Sequence, residues 1–197
     1  MQPKKGRKSP KREVIRPMTQ ATPAVVWLVS AILVEAAVID GMKLRVPNWL
    51  TFHFVIGGLA FAAWSGGASG LLWATGGAAL GLALLLPLYA IGGMGAGDVK
   101  LLAGVGAWMG PALTLGAFVA TAITGGLMAL AMVAWSGQYA RHWAMLQTIW
   151  HEIVTVRDPV LLSEKAAARK PSMMLLPYGI PITVGSIAYF GWMGLFF

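Results

Sequence analysis

Six apolar runs, at 23–39, 49–64, 70–91, 98–109, 112–135 and 173–197, follow one another along the chain, bounded by Gly, Pro and charged residues. A spanning helix needs roughly 20 apolar residues, and a soluble core would not need so many such runs. Charged residues make up only 11% of the chain and hydrophobic ones 57%, against roughly 25% charged in soluble domains. The runs predict an all-α integral membrane protein, a bundle of about six transmembrane helices. The fourth run is short for a full span, so it is expected to be tilted, to continue beyond Gly110-Pro111, or to be incomplete. The chain has no Cys, which excludes disulfides, thiolate metal sites and Cys nucleophiles.

The net charge of +8 is unevenly spread, with seven of the 15 basic residues between positions 4 and 16. That stretch is too polar to fold, so residues 1–22 read as a disordered basic tail ahead of a membrane domain at 23–197. Elsewhere Lys43, Arg45, Lys100, Arg141, Arg157, Lys165, Arg169 and Lys170 all fall at the first, third and fifth connections, while the second and fourth hold no Lys or Arg. The excess places the odd connections in the cytoplasm. Six spans then put the basic tail on the other side, against the same rule, and the mutually consistent connections decide the reading.

Gly77/Gly81 and Gly106/Gly110 each have GxxxG spacing, which lets helix backbones approach closely and is read as packing within the chain. Between 136 and 171 the composition changes. Trp143, Leu146, Trp150 and Ile153 recur at helical spacing opposite Arg141, Gln147, Thr148, His151 and Glu152, an amphipathic segment suited to the membrane surface. His142 and His151 are about 900° apart around a helix and lie on opposite faces, so no metal site is expected.

Acids at membrane depth are functional candidates by default. Asp98 follows the glycine-rich bend Gly93-Met94-Gly95-Ala96-Gly97 at the lip of the fourth run, and Asp40 ends the first. Asp98 also reads as an N-cap. Asp40 meets the negative end of a helix dipole, so capping does not explain it, although reaching for water does. Both acids flank odd connections and so lie at the same membrane face. Two carboxylates sharing a site supply a general acid and a general base, enough to activate water for peptide hydrolysis.

Asp40 followed by Val46-Pro47-Asn48, then Gly95-Ala96-Gly97-Asp98-Val99-Lys100, then Leu176-Pro177-Tyr178-Gly179, resembles the type IV prepilin peptidase family of GxGD aspartic proteases. The resemblance implies a membrane-embedded aspartic endopeptidase with catalytic Asp40 and Asp98. Its implied substrates are prepilins or pseudopilins of pilus biogenesis and type II secretion, whose basic leader is removed at the cytoplasmic face of a prokaryotic inner membrane. Gly95 and Gly97 would permit the bend. Many members carry an insertion with zinc-binding cysteines between the first two helices and methylate the new amino terminus. Only residues 41–47 separate Asp40 from Asn48 here, so the chain resembles the short members serving Flp/Tad-type pili and methyltransferase activity is not expected.

Lys100 is about 200° around the helix from Asp98 and is expected to snorkel to headgroups rather than pair with it. Lys43 and Arg45 are read as contacts to lipid phosphate, with substrate contact or tuning of the acid pair as alternatives. Pro47 and Asn48 are expected to turn the chain into the second helix, with Asn48 capping it. Tyr178, between Pro177 and Gly179, is an interfacial anchor or a hydrogen-bond donor near the site. Glu35, about 140° around the helix from Asp40, is expected to be buried against another neighbour. No metal or organic cofactor and no nucleic-acid partner is expected. Rival readings are a small transporter or channel subunit carrying ions on Glu35, Asp40 and Asp98, and an inactive homologue that binds pilins without cutting them.

Overall fold

A computed structural model describes residues 21–155, 161, 165, 168 and 176–197. Most of the basic tail, residues 173–175 of the sixth run, and Arg157, Arg169 and Lys170 lie outside the described residues. The described residues form five helices and no strand: α1 (Pro23–Lys43), α2 (Asn48–Ala90), α3 (Ala96–Ser136), α4 (Tyr139–Thr155) and α5 (Gly179–Trp192). Of these, α1, α2 and α3 are long and apolar enough to cross a membrane.

The count differs from the six separate helices expected because neighbouring runs are joined through single glycines. In α2, Gly67 takes left-handed angles (φ 58°, ψ −144°), and in α3 Gly110 does the same (φ 72°, ψ 178°) just before Pro111. A residue with a Cβ avoids such angles, so the breaks the sequence places near 64–70 and at Gly110-Pro111 are one-residue kinks. Trp73 packs directly against Gly110, where a Cβ would stand.

The first part of α3 is the centre of the protein, with Asp98, Val99 and every residue from Leu101 to Gly110 buried. This explains how a run too short for lipid is still a stable helix: it is surrounded by protein. Helix α3 packs against α2 and α5, and α5 also covers α1. The two GxxxG faces meet each other. Gly77 lies directly on Gly106, and a Cβ on Gly81 would stand 2.6 Å from the Leu102 carbonyl oxygen. Buried polar groups tie the remaining helices: Trp108 Nε1 donates to the Phe54 carbonyl at 2.8 Å and Thr183 Oγ1 to the Leu33 carbonyl at 2.7 Å. With lipid rather than water outside, such packing and hydrogen bonds hold a bundle where hydrophobic burial does not.

Helix α1 starts at the cap Thr22, whose hydroxyl accepts from Val25 N–H, with Pro23 in its first turn. It buries Val25, Val26, Val29, Ser30, Leu33, Ala36 and Asp40, a stripe at spacings of one, three and four. Glu35 falls off that stripe and is exposed, correcting the expectation that it is buried. In helix α4, Trp143, Leu146, Trp150 and Val154 are exposed, and Gln147 and His151, expected on the opposite face, line one groove with them, while the side chains of Arg141 and Ile153 lie outside the described residues.

Candidate active site

The chain leaves α1 through Leu44, a left-handed residue (φ 51°, ψ 36°) whose N–H bonds the Asp40 carbonyl at 2.7 Å. This tight reversal brings Val46 onto the first turn of α3. A Cβ on Gly97 would stand 2.7 Å from the Val46 carbonyl oxygen and 2.9 Å from its Cβ, so only Gly lets the two backbones meet here. The close approach joins the 41–47 connection to the glycine-rich bend.

Asp40 and Asp98, 58 positions apart, line one cavity of about 310 Å³ together with Leu44, Arg45, Val46, Asn48, Leu176 and residues 93–97. Both side chains are almost fully enclosed, with 3% and 6% of their surface exposed. Asp40 Oδ2 accepts the Gly179 N–H at 2.8 Å, a bond between the last turn of α1 and the first residue of α5. A Cβ on Gly179 would stand 2.9 Å from Asp40 Cβ and 3.0 Å from Oδ2, so a larger residue would displace the carboxylate. Asp98 Oδ2 accepts the Gly95 N–H at 3.0 Å while Asp98 N–H donates to the Gly95 carbonyl at 3.2 Å. The N-cap position of α3 belongs to Gly95, so Asp98 is not the N-cap its sequence suggested; from the third position of the helix its carboxylate reaches back to the N–H of the cap, and it lines the cavity as well. Each carboxylate thus accepts from a glycine backbone amide.

The other sequence-selected residues divide. Arg45 lines the cavity, whereas Lys43 is exposed and does not. Asn48 does not cap α2: the N-cap position belongs to Pro47, and Asn48 Oδ1 instead accepts from Lys100 Nζ at 2.9 Å. Lys100 therefore reaches across to the first residue of α2, whereas snorkelling to headgroups was expected. Pro177 and Tyr178 supply carbonyls that accept from Ile180 and Ile182 at 3.1 Å each, which starts α5 and presents the Gly179 amide. Tyr178 lines a second, apolar cavity of about 270 Å³, and Met94 lines both.

Sequence reading passed over Leu44, Val46, Met94 and Leu176 as wall residues. Val46 and Met94 were visible inside the motifs. The left-handed turn at Leu44 carries no sequence signal, because Leu is not a residue that favours it.

Two enclosed carboxylates on one cavity, each oriented by a backbone amide, are suited to passing protons to and from a reacting group between them. A family model for the type IV leader peptidase family matches residues 27–130, more than half of the chain, a stretch that contains Asp40, Pro47-Asn48 and the 95–98 bend. No curated protein and no solved structure matches the chain. The chain belongs to the type IV leader peptidase family, and the stretch that places it there holds both acids of the cavity.

Proposed function

We propose that this membrane protein is an aspartic endopeptidase that removes the basic leader of type IV, Flp-like prepilins or pseudopilins at the cytoplasmic face of the inner membrane. The observation that carries the reading is the convergence of Asp40 and Asp98 on one cavity. Membership of a leader peptidase family supports a pilin-type substrate. Glu35, exposed on the outer side of α1, stands apart from the cavity, which disfavours an ion path running through all three acids.

In the proposed reaction one carboxylate takes a proton from water as its oxygen bonds to the scissile carbonyl carbon. The other carboxyl protonates the carbonyl oxygen. Collapse of the tetrahedral intermediate breaks the C–N bond, with the leaving nitrogen protonated by the carboxyl that took the water's proton and one hydroxyl proton of the intermediate returned to the other carboxylate as the new C=O forms. The substrate's basic leader, at the water side, leaves the scissile amide at the depth of the two acids.

The domain at 23–197 is proposed to cross the membrane six times. Helices α2 and α3 hold 43 and 41 residues, about 60 Å or more each against a hydrocarbon core of about 30 Å. If the chain turns back at the Gly67 and Gly110 kinks, each helix makes two spans, with both acids at one face. The odd connections carry the basic excess that faces the cytoplasm.

The test is co-expression of a prepilin encoded in the same genome with wild type, Asp40→Asn and Asp98→Asn, read by gel shift and by the amino-terminal sequence of the product. Wild type is expected to cut after the leader and each variant, still present in the membrane, to lose about 10²–10⁴ in rate. Normal cutting by either variant would sink the acid-pair mechanism.

A further inference from the structure

The bond between Lys100 and Asn48 joins two motifs separated by 52 positions, yet neither partner serves the role its local sequence suggests. Asn48 is the first residue of α2, and no side chain caps that helix. Lys100, two residues beyond Asp98, sends its ammonium to Asn48 Oδ1 at 2.9 Å.

That bond decides the orientation of the Asn48 amide. An ammonium only donates, so the carbonyl oxygen of the side chain must face Lys100 and the NH2 must face away from it. Among the described residues the Asn48 nitrogen has no partner. Asn48 also lines the cavity that holds Asp40 and Asp98, and it is an exposed residue. Two N–H donors, held in one rotamer by a charged partner, therefore stand at the wall of the cavity.

We propose that Asn48 is a substrate-binding residue, its side-chain NH2 donating to a backbone carbonyl oxygen of the extended peptide that crosses the acid pair, and that Lys100 is the positioning residue that holds it. This inference rests on the protease reading above and assigns the part of the substrate that Asn48 meets. A peptide drawn into an enclosed site loses water from its carbonyls, and a donor built into the wall replaces that water. A side-chain amide does so without reading substrate sequence. Lys100 is suited to the holding role because its flexible stem spans from α3 to the start of α2 while its charge strengthens the bond. Its partner is a neutral amide, so the bond leaves no extra negative charge beside the two acids.

The test compares Asn48→Asp, Asn48→Ala, Lys100→Arg and Lys100→Met in the purified full chain in detergent, with a detergent-solubilised prepilin from the same genome as substrate. Asn48→Asp is the informative variant: it keeps an acceptor for Lys100 and so preserves the tie between the motifs, but it removes both donors. KM is expected to rise about tenfold in Asn48→Asp and Asn48→Ala with kcat changed less, to rise about threefold in Lys100→Met, and to stay near wild type in Lys100→Arg. Combined with Asn48→Ala, Lys100→Met should add nothing, since a positioning residue has no effect once its ward is gone. Prepilin affinity measured on the non-cutting Asp98→Asn background should fall in parallel.

A wild-type KM for Asn48→Asp would overturn the proposal, leaving the pair as a structural tie only. So would a full Lys100→Met effect on the Asn48→Ala background. Failure of wild type to cut any prepilin would instead overturn the protease reading beneath it. If Asn48→Ala alone loses thermal stability, Asn48→Asp, which retains the tie, still decides the question.

Discussion

The two acids of the cavity are held by opposite means. Asp98 at the start of α3 is bound by Gly95, three residues before it, whereas Asp40 at the end of α1 is bound by Gly179, 139 residues after it. The first arrangement is built into the local turn: a carboxylate in a helix's first turn meets a free N–H and the favourable end of the dipole. The second exists only when α5 docks on α1. One acid has an anchor in its own turn and the other an anchor on the last helix, so the Asp40 side of the site is complete only when that helix has packed.

The sharpest way to break that contrast is to fill the glycine beside each acid. At Gly179 an added methyl would lie 2.9 Å from Asp40 Cβ, so α5 or the carboxylate must move. Gly179→Ala is expected to slow prepilin cleavage about a hundredfold, because displacement on the order of 1 Å at a reacting group has that effect. At Gly95 the methyl would meet Asp98 Oδ2 at 3.1 Å, the end of a side chain that can give way. Gly95→Ala is expected to slow cleavage only several-fold, in line with about 1 kcal/mol. Equal losses in the two variants would show that placing Asp40 is no more dependent on tertiary packing than placing Asp98.

Hydrogen exchange separates the two anchors directly. Asp40→Ala should speed exchange at the Gly179 amide and leave Gly95 unchanged, and Asp98→Ala should do the reverse, each losing about 1–3 kcal/mol of local protection. Release of Gly179 in Asp98→Ala would mean that the two anchors are coupled.

A smaller effect concerns the kinks that set α2 and α3. Gly110→Ala meets both a left-handed backbone and the ring of Trp73, whereas Gly67→Ala meets the backbone cost with open space around it. Thermal unfolding should show Gly110→Ala losing about 3 kcal/mol or more and Gly67→Ala about 1–2 kcal/mol. Similar losses would remove the role assigned to Trp73.

Much of the architecture was legible in the chain. The apolar runs predicted helices in lipid, and the glycine pairs at 77/81 and 106/110 predicted helix contact within the chain. Both acids were visible as charges at the ends of apolar runs. The side chains that tie motifs together were not legible. Asn48 before an apolar run looks like a cap, and Lys100 at a membrane edge looks like a headgroup contact; their mutual bond becomes visible only when α2 and α3 lie side by side. Glu35 was misplaced for a related reason. Its angle from Asp40 excludes the same face of α1, but which remaining face is covered depends on where α5 packs.

Helix type, membrane residence, the glycine-rich bend and the place of Asp98 at the start of a helix were determined by sequence, because periodicity, propensity and capping act within about four residues of chain. Only the tertiary structure decided that Gly179 holds Asp40, that Lys100 holds Asn48, and that one short helix is buried while Glu35 is not. These depend on which helices touch, and contacts across 52 or 139 positions are chosen by the packing of whole surfaces, with no local pattern to announce them.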